Sequence, residues 1–197
     1  MRPPDFERRA KDLVGRRIVQ VRYHEIDYCG AEGQSLVEPH WDWCPDLDSL
    51  DYGLDLTMED GAVFHVTWGS EFSQYGVTVQ TNPLHDVSAA RVWDGTTGSR
   101  WAPLIGCRIA AADVFWETTQ YRTLRDDGSY SDWSDPVAYP QDLRLTFEGG
   151  AQVYLSAFEI REGGFRAAMT DHISVFFEDT AAKEYRIGPF ASGHGPA

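Results

Sequence analysis

One stretch of this sequence occurs twice. Residues 54–66 read LDLTMEDGAVFHV, and residues 143–155, 89 positions later, read LRLTFEGGAQVYL. In both copies apolar side chains alternate with polar ones, which is the period of a strand with one buried face. A three-residue loop ending in Gly61 or Gly150 keeps the apolar residues on one face, and glycine there suits a type I turn with a G1 bulge. The sequence therefore predicts two equivalent β-hairpins.

A second echo supports an internal duplication. Residues 13–18, LVGRRI, match residues 104–109, LIGCRI, at an offset of 91. β-Branched and aromatic residues over 18–23 predict a leading strand before the first hairpin, and one further strand follows each hairpin, at 75–80 and at 172–178. Each unit thus has about four strands.

A four-stranded sheet with one apolar face is marginal alone, so we expect the two units to bury these faces against each other. The predicted fold is mainly β, with two tandem duplicated β units packed as a sandwich or a barrel, the sandwich being slightly preferred. The units span 1–90 and 91–191 within one compact domain, joined by a connection at 82–103. We expect the tail at 192–197 to be disordered.

A short helix is predicted before the first strand, over 4–13. Asp5 is the expected N-cap, Phe6, Ala10 and Leu13 follow helical spacing, and Gly15 ends the segment.

The sequence predicts a cytoplasmic protein. It lacks a run of about 18 apolar residues that would form a transmembrane helix and the apolar core of a secretory signal. Its three cysteines, Cys29, Cys44 and Cys107, are odd in number and widely spaced, and they form neither a metal motif nor a disulfide framework.

The charge is concentrated in one part of the chain. The net charge is −14, residues 1–22 hold seven basic and three acidic groups, and residues 23–90 hold 13 acidic groups and no lysine or arginine. Such a field repels nucleic acid, whose phosphates need basic side chains, and attracts a basic protein. Solubility alone is the other interpretation of this block.

No catalytic signature is present. The motifs GxSxG, SxxK and GxxxxGK[ST] are all missing. Glu25, Asp27 and Glu117, on the two leading strands, are the candidates for acid–base chemistry in a barrel mouth. The alternative function is therefore a small-molecule-binding β-barrel enzyme of unknown reaction. We expect no cofactor.

The two units diverge in two acidic loops that contain tryptophan, within 25–51 and 125–135. Exposed aromatic rings beside carboxylates suit a protein-binding patch, since rings supply desolvated area and carboxylates supply steering. If the patch does not form, the tryptophans instead cap the β core and the aspartates solvate the loops. The predicted partner-binding residues are Trp41, Asp42, Trp43, Asp46, Asp48, Asp51, Asp132 and Trp133.

The same loops do not predict a metal site. Asp46, Asp48 and Asp51 do not follow the twelve-residue calcium-loop pattern, and neither does the turn at 126–128. The six histidines show no HxH or HExxH spacing, so we expect ordinary hydrogen-bonding roles for most of them.

Three segments of the second half carry a resemblance to known proteins. They are YPQD at 139–142, VYLSAFEI at 153–160 and DHISVFF at 171–177. Together they resemble the C-terminal half of small uncharacterised bacterial β-rich proteins of the polymorphic-toxin immunity type. The resemblance implies a toxin-neutralising or interaction role and carries over no functional residue.

These observations together predict a non-enzymatic cytoplasmic binding protein. It would act as an immunity-type inhibitor of a basic partner protein, such as a toxin, through an acidic surface that contains tryptophan. Neither nucleic acid nor a membrane is an expected partner.

Overall fold

The computed structural model describes residues 3–26, 41, 44–69, 71–72, 75–84, 90–97, 100–161, 165–168 and 170–191. Most of the first acidic loop, including Asp42 and Trp43, and the tail at 192–197 lie outside these residues. What the sequence predicts for them stays a prediction.

The described residues form two short helices and twelve strands. The helices are α1 (Pro3–Lys11) and α2 (Asp179–Glu184). The strands are β1 (Ile18–Ile26), β2 (Leu47–Leu50), β3 (Gly53–Met58), β4 (Val63–Gly69), β5 (Gly76–Gln80), β6 (Ala90–Asp94), β7 (Ile109–Thr119), β8 (Val137–Phe147), β9 (Gln152–Ser156), β10 (Phe158–Arg161), β11 (Phe165–Ala168) and β12 (Ile173–Phe176).

Two five-stranded antiparallel sheets pack against each other. The strand order is β5-β4-β3-β1-β6 in the first sheet and β2-β12-β9-β8-β7 in the second, while β10 and β11 form a separate small hairpin. The predicted mainly β fold with a short N-terminal helix is confirmed. Because the two sheets do not close into a barrel, the architecture is a sandwich.

Both predicted hairpins have the predicted register. Leu54 pairs with Val66 between β3 and β4, and Leu143 pairs with Leu155 between β8 and β9. These four side chains are fully buried between the sheets. The apolar alternation therefore selected the pairing, since a shift of one residue would turn each apolar set towards solvent.

The turns of the two hairpins differ. In the first, the N–H of Gly61 donates to the carbonyl of Met58 (2.9 Å), and Gly61 has a φ of 83°, as the G1 bulge requires. In the second, Gly150 donates to Phe147 (2.9 Å) with a φ of 92°. Gly149 also has a positive φ, 100°, which is the geometry of a type II turn.

The duplication is visible in the strand order. β1, β3, β4 and β5 correspond to β7, β8, β9 and β12, and each set is contiguous in its sheet. A fifth strand then joins each repeat at a different edge, because β6 pairs with β1 whereas β2 pairs with β12. The segment predicted as a simple connection, 82–103, thus contains a strand, and the first acidic loop supplies a strand to the second sheet.

The two copies of the 13–18 echo lie against each other, and we call this contact the repeat junction (residues 13–18 and 104–109). The N–H of Gly15 donates to the carbonyl of Ile109, and the N–H of Gly106 donates to that of Ile18, both at 2.8 Å. Both glycines have positive φ, 86° and 80°. The junction therefore has approximate twofold symmetry.

Side chains repeat this symmetry. Arg17 donates to the junction glycine carbonyl of the other copy at 2.8 Å, and Arg108 does the same at 2.5 Å. Each arginine also approaches the first loop residue of its own hairpin, at 3.6 Å to Glu59 and 3.4 Å to Glu148. The junction thus links both sheets and both hairpin turns.

Helix α1 packs on the sandwich through fully buried Phe6 and Ala10, followed by Leu13. The helical spacing in the sequence is therefore confirmed. Asp5 lies in the first turn and not at the N-cap, because the helix begins at Pro3.

The outer face of the second sheet is covered by a C-terminal strap, which we define as residues 179–191. Its Ala182 and Ile187 belong to the same buried apolar cluster as Tyr154 of β9. The N–H of Gly188 donates to a carboxyl oxygen of Asp142 on β8 at 2.7 Å. Burial under the strap is the main cause that raises the pKa of Asp142 to about 7.

Replacing either junction glycine tests the repeat junction. We expect Gly15→Ala and Gly106→Ala each to lower the free energy of unfolding by about 1–2 kcal/mol, because alanine is strained at positive φ. A β-carbon at either position would meet no atom within 4 Å, so the cost comes from the backbone alone. Urea denaturation measures it. Asparagine tolerates this conformation and is the matched control; alanine variants as stable as the natural protein would contradict the expectation.

Asp142 makes stability depend on pH. Its pKa in the folded protein is about 7, above the value of about 3.9 for an unfolded chain, so its contribution is full below about pH 4 and is lost as the pH rises through 7. Asp142→Asn removes the titrating group. As the pH rises from about 4 to about 7, we expect the stability of this variant relative to the natural protein to increase by about 1.4 kcal/mol per pH unit. Urea denaturation of both proteins at pH 5 and pH 8 measures this. A difference that is the same at both pH values would contradict it.

Candidate functional site

Trp41, predicted as an exposed anchor, lies half-buried against the core. Its ring packs edge-on against that of Tyr23, with centroids 5.0 Å apart. Its indole nitrogen is buried, and within the described residues it has no hydrogen-bond partner. Trp41 thus caps one part of the β core and offers a partner only a fraction of its surface.

The structure corrects the position of Asp48, which the sequence placed on the rim of the exposed patch. Asp48 is 1% exposed, because all four residues of β2 are buried. Its carboxylate accepts hydrogen bonds from the Tyr23 hydroxyl (2.6 Å) and from the Arg100 guanidinium (2.5 Å). Trp101 in turn donates to the Tyr23 oxygen at 2.6 Å. This buried network ties β2 of the second sheet to β1 of the first.

The two other described aspartates of this loop differ in exposure. Asp51 is partly buried and accepts a hydrogen bond from the N–H of Ile26 at 2.7 Å, and burial raises its pKa. Asp46 is exposed. Of the first predicted cluster, only Asp46 is therefore placed on an open surface within the described residues.

Much of the acidic block is neutralised by folding. Glu25, Asp48 and Asp55 are buried. At the first hairpin turn, Asp60 forms an ion pair with Arg16 from the basic N-terminal segment, as Glu59 does with Arg17. The basic N-terminal segment and the acidic block of the sequence therefore contact each other in the fold, and part of their charge cancels.

The second acidic loop continues the β7–β8 hairpin as a projecting arm, residues 120–136. Three backbone hydrogen bonds cross it, from Ser131 to Thr123 and from Ser134 to Tyr121, both at 2.9 Å, and from Arg125 to Ser129 at 2.8 Å. The tip turns at Gly128, which has a φ of 80°. No residue of the arm is buried. The arm therefore has a defined backbone but contributes nothing to the core.

Large side chains lie exposed on the arm. We define the arm surface as Tyr121, Arg122, Leu124, Tyr130 and Trp133. Trp133 and Leu124 are each 60% exposed, and Tyr130 is 57% exposed. The Arg122 guanidinium lies over the rings of Trp133 and Tyr130, at 4.4 and 5.0 Å from their centroids. One cation thus holds two exposed rings close together.

The predicted Trp133 and its neighbour Asp132 both lie on this arm and are exposed. Sequence reasoning missed Tyr121, Leu124 and Tyr130. The sequence did contain a signal for them. They are isolated large side chains in a polar stretch, and the stretch does not match the other repeat, so no apolar pattern predicts their burial.

The two described acid–base candidates lie on different sheets. Glu25 lies on β1 of the first sheet and Glu117 on β7 of the second, while Asp27 lies outside the described residues. Glu117 accepts a hydrogen bond from the Tyr139 hydroxyl at 3.1 Å. The negative charge of Glu117 also contributes to the raised pKa of Asp142.

The described histidines have local partners. His24 pairs with Asp55 at 3.1 Å, and the ring of His65 lies 2.6 Å from the carbonyl of Asn82. Within the described part of the chain, no group of three or more His, Cys, Asp or Glu side chains is arranged to hold a metal ion.

A surface cleft of about 680 Å³ lies beside α2, outside the space between the sheets. Asp46, Arg100 and Phe177 are among its lining residues. The alternative function, a β-barrel enzyme, requires a ligand site inside a barrel. The two sheets do not close into a barrel, so that kind of site does not form between them.

Comparison with protein-family models, curated proteins and solved structures found no match for this chain. Among the described residues, no helix has both the length and the apolar character needed to cross a membrane.

A pair of neighbouring aspartates tests the corrected site. We expect Asp48→Ala to lower the free energy of unfolding by about 3–5 kcal/mol, because it leaves the buried Tyr23 hydroxyl and the partly buried Arg100 guanidinium without their shared carboxylate. The exposed Asp46→Ala is the matched control, with a change within about 0.5 kcal/mol. Urea denaturation at pH 7 measures both. Equal effects would show that Asp48 is not part of a structural network.

Proposed function

We propose that this protein is a non-enzymatic binding protein that inhibits a basic partner protein, and that it grips this partner through the arm surface. The observation that carries the proposal is the exposure of Trp133, Tyr130 and Leu124 on an arm that contributes no residue to the core. Side chains of this size gain most from contact when they leave water on binding.

The arm is prepared for binding before the partner arrives. Cross-arm hydrogen bonds hold its backbone, and Arg122 stacks on both Tyr130 and Trp133. Fewer rotamers are then lost on association, which is a main cost of forming a complex. Tryptophan, tyrosine and arginine are also the residue types that dominate binding energy at interfaces.

Charge indicates the kind of partner. Four exposed aspartates accompany the two arginines of the arm, and within the described residues none of the four forms an ion pair: Asp126, Asp127, Asp132 and Asp135. The whole chain carries −14. Such a surface accelerates the approach of a basic protein and does not suit nucleic acid.

The resemblance of the second half to immunity-type proteins supports a toxin as the partner. A toxin that acts on nucleic acid has a basic active surface. The arm carboxylates would occupy the positions that the phosphates of the nucleic acid take on that surface. Inhibition then needs no chemistry in the inhibitor. We place the protein in the cytoplasm, where its free Cys44 and Cys107 stay reduced.

The experiment begins with purified products of the genes adjacent to its own, each tested for direct binding by calorimetry. The binding partner is then titrated with a variant in which residues 121–134, which include the whole arm surface, are replaced by a two-residue turn. Since no core residue is removed, we expect this variant to fold and to lose binding.

Trp133→Ala measures the contribution of the main anchor. We expect a loss of about 2–4 kcal/mol in binding free energy, seen mainly as faster dissociation in surface plasmon resonance. Tyr75→Ala removes another exposed aromatic side chain outside the arm and is the matched control, with little change. Asp132→Asn should mainly slow association, and added salt should mask that effect.

Equal losses for Trp133→Ala and Tyr75→Ala would refute the arm as the binding surface. Full binding by the variant with the shortened arm would do the same.

A further inference from the structure

The cleft beside α2 is built by four separate parts of the chain. Pro45 and Asp46 precede β2, Arg100 precedes a short 3₁₀ helix that ends at Leu104, Ala151 and Gln152 follow the second hairpin turn, and Phe177 leads into α2. Its volume, about 680 Å³, lies within the usual range for small-molecule sites.

Apolar side chains line much of the cleft. They are Pro45, Pro103, Leu104, Ala151, Phe177 and Ala181. Phe177 is held in place by an edge-on contact with the buried Trp101 ring, at 5.3 Å between centroids. A ligand with an alkyl stem would therefore meet a pre-formed apolar wall.

Arg100, the one basic residue that lines the cleft within the described part of the chain, is already engaged. Arg100 donates to Asp48 (2.5 Å) and to the carbonyls of Cys44 (3.2 Å) and Pro45 (2.6 Å). Its positive charge is balanced by a buried carboxylate, and its guanidinium lies against the cleft wall, 6.0 Å from the centroid of the Phe177 ring. Arg100 thus acts as a wall of the cleft and not as an anion-binding group.

Three exposed carboxylates also line the cleft: Asp46, Glu178 and Glu184. Within the described residues, none of the three forms an ion pair or a side-chain hydrogen bond. With Arg100 neutralised, the cleft presents negative groups around an apolar wall. That combination excludes anions and suits a cation that carries an apolar part.

We propose that this cleft binds a small organic cation of the alkylammonium or alkylguanidinium class, with its alkyl stem on the Phe177–Leu104 wall and its charged head beside Glu178 and Glu184. The site is independent of the partner-binding arm. The arm precedes β8, whereas Ala151 and Gln152 follow the turn after β8, so the length of this eleven-residue strand, about 35 Å, separates them.

The test is isothermal titration calorimetry of the full-length protein with agmatine and with butylamine, at 150 mM salt. Neutral 1-butanol and magnesium chloride are the comparison ligands, because a chain with a charge of −14 also attracts cations without a specific site. We expect saturable binding of one agmatine per chain and no saturable binding of 1-butanol or magnesium.

Two cleft variants separate charge from shape. The double variant Glu178→Gln, Glu184→Gln should weaken agmatine binding by about tenfold or more, because charge-assisted hydrogen bonds are lost. Thr180→Phe keeps every charge and fills part of the cleft, and it should abolish binding. Asp126→Asn, Asp135→Asn on the arm changes the net charge equally and should alter affinity by less than about twofold.

Each variant is first checked by thermal unfolding, so that a misfolded protein is not counted. Equal weakening by the cleft and arm double variants would overturn the proposal in favour of diffuse attraction. Binding of a tri-lysine peptide without binding of agmatine or butylamine would also overturn it, since the occupant would then be a peptide. Loss of partner binding through the arm leaves all these readouts unchanged.

Discussion

The arrangement of the two sheets depends on the repeat junction. There the backbone of each repeat donates a hydrogen bond to the other, from Gly15 to Ile109 and from Gly106 to Ile18, just where each leading strand begins. Two positive-φ glycines allow the chains to approach in this way. Because each strand leaves the junction already attached to the other repeat, the apolar faces of both hairpins come together between the sheets, and α1 covers part of the remaining core.

The surface that we propose for binding lies where the two repeats diverge. The connection between β1 and β3 contains the first acidic loop, and it sends β2 into the second sheet, where Asp48 is buried with Arg100. The equivalent connection between β7 and β8 is the arm, which is exposed and pairs with no strand of either sheet among the residues that the structure describes. A rigid β scaffold thus uses one loop for cohesion, and the other loop is the one that we propose for recognition.

The acidic residues likewise divide into a structural set and an exposed set. Part of the acidic block is structural, since Asp60 and Glu59 pair with arginines of the N-terminal segment and Asp48 is enclosed. Other carboxylates are exposed and, within the described residues, form no ion pair, and these include four along the arm and three around the cleft beside α2. Net charge alone therefore overstates the acidic surface, because it does not separate neutralised carboxylates from free ones.

The sequence by itself determined the two hairpins, their register and the pairing of two β units. Apolar alternation and turn glycines are local signals, and together they allow one register that buries the apolar face. It also located Trp133 and Asp132 in a loop that the repeat does not explain. Only the tertiary structure decided that the sandwich stays open, that β2 crosses to the second sheet, and that Asp48 is buried while Trp133 is exposed. The two loops that contain aspartate and tryptophan look alike in composition. The first is buried in part because β2 pairs with β12 and Asp48 with Arg100, and no local sequence pattern encodes such long-range contacts.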